Sequence, residues 1–127
     1  MGKWTAYSSE GKKLGTNHLH QVMGDCAMQE NWSSGKFKGT SYNFYDEGSK
    51  QWHQTWIDNG GGHLLLNGNM VGGSMELSGI RTRADGKVVT DRITRTPLKD
   101  GGVRQHWQST LDGETWTEVF DGYYKKD

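Results

Sequence analysis

Apolar and polar residues alternate with a period of two along most of this chain, the signature of half-buried strands. Breaks rich in Gly, Asp and Ser recur about every 8 to 12 residues, the spacing of an all-β domain. The pattern predicts strands over residues 3–8, 14–22, 27–33, 63–67, 72–83, 87–96, 103–110 and 115–124. Between the third and the sixth, residues 41–58 predict two aromatic-rich strands joined at Asp46-Glu47-Gly48-Ser49, a hairpin readable from the sequence. No window combines helical period with capping residues, so no helix is expected. Ten short strands with short turns pair each with its sequence neighbour. Such an up-and-down antiparallel meander removes its exposed edges by closing into a barrel. A half-open sheet backed by a second copy is the alternative.

Bulk decides the inward face, because aromatic area gains most on burial. That choice turns Met28, Glu30 and Trp32 inward on strand three, Asn43 and Tyr45 on strand four, and Trp52, Gln54 and Trp56 on strand five. It turns Gln105 and Trp107 inward on strand nine, and Trp116, Glu118 and Phe120 on strand ten. Strand four is finely balanced, since Tyr42 and Phe44 form an equally apolar face and a one-residue slip exchanges the two sets. Rings interleaved with amides and a carboxylate describe a cup for a small molecule, with faces for stacking and a few groups for orientation. The candidate ligand-binding set is Glu30, Trp32, Asn43, Tyr45, Trp52, Gln54, Trp56, Gln105 and Trp107. A polar network satisfying itself inside the barrel is the competing reading of Glu30, Gln54 and Gln105.

Composition narrows the classes. A chain of 127 residues with one proline and no low-complexity stretch fits a single domain spanning 1–127. Fifteen basic residues balance fifteen acidic ones, with no run of Lys or Arg to follow a phosphate backbone, so no nucleic-acid partner is expected. The longest apolar run is Leu64-Leu65-Leu66, far below the roughly 20 residues of a membrane helix, so no membrane partner is expected either. No export signal precedes the first strand. A soluble protein is expected, inside the cell or, if the chain was trimmed, outside the cytoplasm. Cys26 stands alone and leaves the compartment open.

An ordered set of motifs carries a resemblance. Gly2-Lys3-Trp4 is similar to the Gly-x-Trp signature of lipocalin-like (calycin) barrels. The segments 26–32, 42–46, Trp52-His-Gln-Thr-Trp56, Arg92-Ile93, Val103-Arg-Gln-His-Trp107, Asp112-Gly-Glu-Thr-Trp116 and 120–123 resemble the spaced motifs of an uncharacterised bacterial lipocalin-like family. The resemblance spans nearly the whole chain. It implies a barrel of about ten strands with an internal pocket, and no reaction. Lipocalins lay a basic side chain across the first-strand tryptophan, and here only Lys125 and Lys126 stand where one would come from.

Five histidines are present, at 18, 20, 53, 63 and 106, but no three converge by strand parity and Cys26 has no partner at finger spacing, so no metal, haem or other cofactor is expected. No nucleophile elbow, phosphate loop or His-Glu-x-x-His motif occurs. If the protein is an enzyme, it is a cofactor-free isomerase, cyclase or lyase. Glu30, desolvated beside Trp32, would then act as base and Arg92 or Gln54 would steady developing charge. Asp121-Gly122 reads as a bulge that bends the last strand. The first expectation is a small-molecule-binding barrel. The acid–base enzyme and a structural or assembly module, such as a homodimer, are the alternatives.

Overall fold

The computed structural model describes residues 1–127 and is all-β. Ten strands follow in chain order: β1 (Gly2–Tyr7), β2 (Lys13–Val22), β3 (Ala27–Ser34), β4 (Phe37–Asp46), β5 (Gln51–Asp58), β6 (His63–Val71), β7 (Ser74–Thr82), β8 (Val88–Pro97), β9 (Val103–Thr110) and β10 (Thr117–Lys126). Each pairs antiparallel with its neighbour, and β10 returns to β1 through Trp4 opposite Lys126 and Tyr7 opposite Tyr123, which closes the barrel. No helix is long and apolar enough to cross a membrane.

Two boundaries differ from the alternation. Strand β6 continues past Asn67 to Val71, through the polar pair Asn67 and Asn69, because backbone pairing with β7 holds it where its side chains carry no apolar signal. Strand β4 begins at Phe37, not near 41, and pairs with β3 from Phe37 to Phe44.

Inside, the wall from β6 to β8 is apolar. Leu64, Leu66, Leu77 and Ile93 form a buried cluster, with Trp56, Met75 and Trp107 packed on it. The wall from β2 to β5 is polar, with Asn17, Glu30, Ser41, Asn43 and Gln54 all buried. A second buried charge sits near the start of β8: Asp91 accepts from Arg81 Nε at 2.6 Å and from Trp107 Nε1 at 2.9 Å. Two missing side chains make room for the large rings. A Cβ on Gly15 would lie 2.7 Å from the Trp32 ring, and one on Gly39 would lie 2.1 Å from the Trp56 ring, so each indole occupies the space left by a missing side chain on a neighbouring strand.

The last strand corrects the alternation. Glu118 pairs with Gln108 but Phe120 pairs with Trp107, so Val119 is an extra residue and the parity of the strand inverts across it. Phe120 therefore faces inward, as expected, while Trp116 and Glu118 face outward. Glu118 meets His106 on the outer wall at 3.0 Å, and Trp116 lies under the Arg92 guanidinium at 3.9 Å. The bulge lies there rather than at Asp121-Gly122, and Asp121 instead binds Arg104 on the outer wall through both carboxylate oxygens. That pairing, reinforced by His106, holds the Asp121 carboxyl below the usual carboxylate range.

Candidate functional site

The interior is divided by a layer of polar side chains into two chambers, one toward each end of the barrel. The upper end carries the β1–β2, β3–β4, β5–β6, β7–β8 and β9–β10 turns, and the lower end carries the others. Glu30 anchors the layer. Its Oε2 accepts from Asn17 Nδ2 at 2.6 Å, and its Oε1 accepts from Ser41 Oγ at 2.9 Å and Gln54 Nε2 at 3.3 Å. Gln54 turns its other face to Arg95, whose Nη2 donates to Gln54 Oε1 at 3.0 Å while its Nε donates to Gln105 Oε1 at 3.1 Å. The Gln54 amide thus lies head to tail between a carboxylate and a guanidinium, its donor toward the negative group and its acceptor toward the positive one, which favours both.

The upper chamber is a cavity of about 370 Å³. Trp32, Trp56, Trp107, Phe120 and Tyr124 wall it together with Leu64 and Ile93, and Glu30, Gln54 and Gln105 form its floor. The rings are braced: Trp32 meets Phe120 edge-on at 5.8 Å, Trp56 Nε1 donates to Asp58 Oδ2 at 3.0 Å, and Trp107 is tied to Asp91. The lower chamber, of about 320 Å³, is lined by Met28, Asn43, Trp52, Met75, Leu77 and Arg95 among others. Between the two lies a small recess of about 140 Å³ beside Trp4 and Asn17. A broader groove crosses the outer wall over β2 to β5, but it is polar and open, with Trp32 and Ile57 its apolar members.

The candidate residues thus fall into two groups. Glu30, Trp32, Gln54, Trp56, Gln105 and Trp107 line the upper chamber, whereas Asn43 and Trp52 line the lower one. Tyr45 shares their parity but stands at the lower rim, 43% exposed, packed edge-on against Trp52, which is 39% exposed. Trp52 is accordingly a rim residue, not the fully buried ring that bulk suggests. Tyr42 and Phe44 lie outside, as does His53, stacked on Phe44 at 5.3 Å. Arg92 is also outside, donating to Gln108 Oε1 at 3.1 Å and covering Trp116, so it cannot steady charge in the interior.

The interior arginine is Arg95, which the sequence reading missed although it shares the parity of Ile93 two residues earlier. Tyr124 was missed for the same reason: from inward Phe120 the alternation passes through Gly122 to Tyr124, which is 8% exposed. Asn17 and Ser41 gave no signal, since short polar residues are ordinary on outer faces. On the outer wall His106, Glu118 and Asp121 bring ligand atoms within 4.8 Å of one another, but Asp121 is already held by Arg104.

No family model matches the chain, and no curated protein sequence matches it.

Burial pushes the Tyr124 phenol well above the ordinary tyrosine range, nearby Glu30 adds to the rise, and Arg95 opposes it in part. A phenol whose folded pKa exceeds its unfolded value of about 10 contributes in full below pH 10, and its contribution is lost as pH rises beyond. Wild type is therefore expected to lose about 1.4 kcal/mol more stability per pH unit above 10 than Tyr124→Phe does. Urea midpoints at pH 8 and pH 11 measure the difference, and equal losses would place the hydroxyl in contact with bulk water.

Proposed function

We propose that this protein is a small-molecule-binding barrel whose upper chamber takes an uncharged, flat, largely apolar molecule carrying one or two hydrogen-bond acceptors. We also propose kinship with lipocalin-like barrels, supported by Gly2-Lys3-Trp4 at the start of β1 and by a closed meander with a pocket inside.

The observation that carries the binding reading is the lining of the chamber. Three indoles and three further rings, those of Phe37, Phe120 and Tyr124, surround a volume suited to one small molecule, over a floor with donors to spare. Gln105 gives its oxygen to Arg95, which leaves its amide N–H groups for a ligand. The Tyr124 hydroxyl pairs with no other side chain and stays protonated, hence a donor. The Glu30 carboxylate is engaged by Asn17, Ser41 and Gln54, so the groups the floor has to spare are neutral donors, which suit an uncharged acceptor. The acid–base alternative is weakened by the same geometry, because its carboxylate is committed to three donors and its arginine lies outside.

The test is titration with neutral bicyclic aromatics, naphthol and coumarin among them, followed by tryptophan fluorescence and melting temperature. Saturable quenching with a rise in melting temperature is expected. Gln105→Leu is expected to weaken binding up to about tenfold, the worth of one hydrogen bond. Ser34→Trp, which fills the upper mouth, is expected to abolish it. Binding that survives Ser34→Trp unchanged, or an entire panel without saturable binding, overturns the assignment.

A further inference from the structure

The lower chamber holds a charge without a partner. The other arginines in contact with acidic groups are satisfied: Arg81 by Asp91, Arg83 by Asp85 and Arg104 by Asp121. Arg92 lies outside over an indole. Arg95 projects into the barrel, yet no carboxylate lies within ion-pair distance, and its hydrogen bonds go to two neutral amide oxygens. A guanidinium has five N–H donors, so Nε to Gln105 and Nη2 to Gln54 leave the rest unspent. Glu30, the interior carboxylate nearest in the network, cannot supply them, because Gln54 stands between the two and Glu30 has its own three donors.

The space beside Arg95 is shaped for the remainder of an amphipathic molecule. Met28, Met75 and Leu77 line the chamber beneath Trp52 at the rim, and thioether side chains fit themselves to irregular apolar chains. A second polar atom also lacks a partner there. Asn43 is 8% exposed, its Nδ2 donates to Ser41 Oγ at 2.9 Å and the Met28 carbonyl at 3.4 Å, and its buried Oδ1 accepts nothing. The carbonyl of Met28 can only accept, so the amide is oriented and the orphan is its oxygen.

We propose that the lower chamber is a second binding site, specific for an amphipathic monocarboxylate whose carboxylate pairs with Arg95 and whose apolar chain lies along Met28, Met75 and Leu77. The fork of N–H groups on a guanidinium matches the two oxygens of a carboxylate, and partial burial strengthens the pair relative to water. A hydroxyl or amide N–H on the same ligand would satisfy Asn43 Oδ1. The acidic residue bordering the chamber is Asp25, at its rim, where Cys26 and the outward-facing His53 are the other titratable side chains beside Arg95. Repulsion from Asp25 is screened by solvent, since that residue is exposed. The polar layer separates the site from the upper chamber, and Gln54 and Gln105, which hold Arg95, are the groups the two share.

Octanoate and 1-octanol are the probes, compared by calorimetry on the full chain at neutral pH. Octanoate is expected to bind and octanol to bind at least about tenfold more weakly, because a charge-assisted bond is worth more than a neutral one. Methyl signals of Met28 and Met75 are expected to shift with octanoate while those of Leu64 and Ile93 stay in place. Arg95→Gln is expected to bring octanoate down to the octanol level. Met75→Trp, which fills the chamber and leaves the guanidinium intact, is expected to remove binding of both without altering the response to naphthol. Equal binding of acid and alcohol, shifts confined to the upper-chamber methyls, or no binding of octanoate to wild type overturns the proposal. If Arg95→Gln does not fold, the acid–alcohol comparison and the methyl shifts on wild type still decide it.

Discussion

Replacement of Glu30 by leucine is expected to destabilise the barrel by roughly 3–5 kcal/mol, through stranded donors at about 1–3 kcal/mol each. Asn17, Ser41 and Gln54 are all nearly inaccessible to water, at 4%, 0% and 3% exposure, so their donors find no substitute acceptor in solvent. The Ser41 hydroxyl is the worst placed, because its oxygen already accepts from Asn43 and Gln54 and its proton has Glu30 for a partner. Glu30→Gln keeps the shape and one acceptor oxygen but turns an amide N–H toward existing donors, so a smaller loss of about 1–2 kcal/mol is expected. Urea unfolding at neutral pH measures both. A leucine variant within about 0.5 kcal/mol of wild type would mean that the three donors find other partners, and the polar layer described above would not exist as such.

Arg81→Met is expected to cost about 3–5 kcal/mol, because it leaves Asp91, 1% exposed, as a buried carboxylate with the Trp107 indole as its remaining side-chain donor. Removing the charge as well reverses most of this. The double replacement Arg81→Met with Asp91→Leu is expected to come within about 1–2 kcal/mol of wild type, since a buried ion pair exchanged for apolar groups of similar size is often nearly neutral. The coupling between the two sites, read from a double-mutant cycle of unfolding free energies, is therefore expected to be large and positive. Additive effects would show that Arg81 contributes packing alone. Because Asp91 also steadies Trp107, Arg81→Met is expected to loosen the upper chamber wall before it loosens the lower one.

How much of the site could be read beforehand is clearest on β8. Arg92-Ile93 was singled out, and Ile93 is indeed buried, but the arginine beside it points outward by the same alternation that turns Ile93 inward. Continuing that alternation by one step in each direction finds Asp91 and Arg95, the two interior charges of the strand. The sequence carried this information. What concealed it is that a charged residue on an inward parity is ordinarily taken as grounds to reverse the parity, not as a buried network. Strand β10 is different. Trp116 and Glu118 share parity with Phe120, and their outward placement follows from the extra residue at Val119. A bulge is a choice of pairing with β9, and local composition around Val119 does not announce it.

The amino-acid sequence by itself determined the architecture: period-two alternation excluded helices, short Gly- and Asp-rich turns imposed neighbour pairing, and the cost of open edges pointed to closure. It also determined the inward faces of β3, β5 and β9, where ring bulk leaves one economical side, but not that of β4, which carries rings on both faces. Only the tertiary structure decided that the interior is two chambers rather than one. That division depends on where strand register brings polar side chains to the same height, Glu30 beside Ser41, Asn43 beside Gln54 and Arg95 beside Gln105, and these pairs join residues from β3 to β9 that are distant in the chain. Register between strands is set by the summed pairing around a closed sheet, so no single segment contains it.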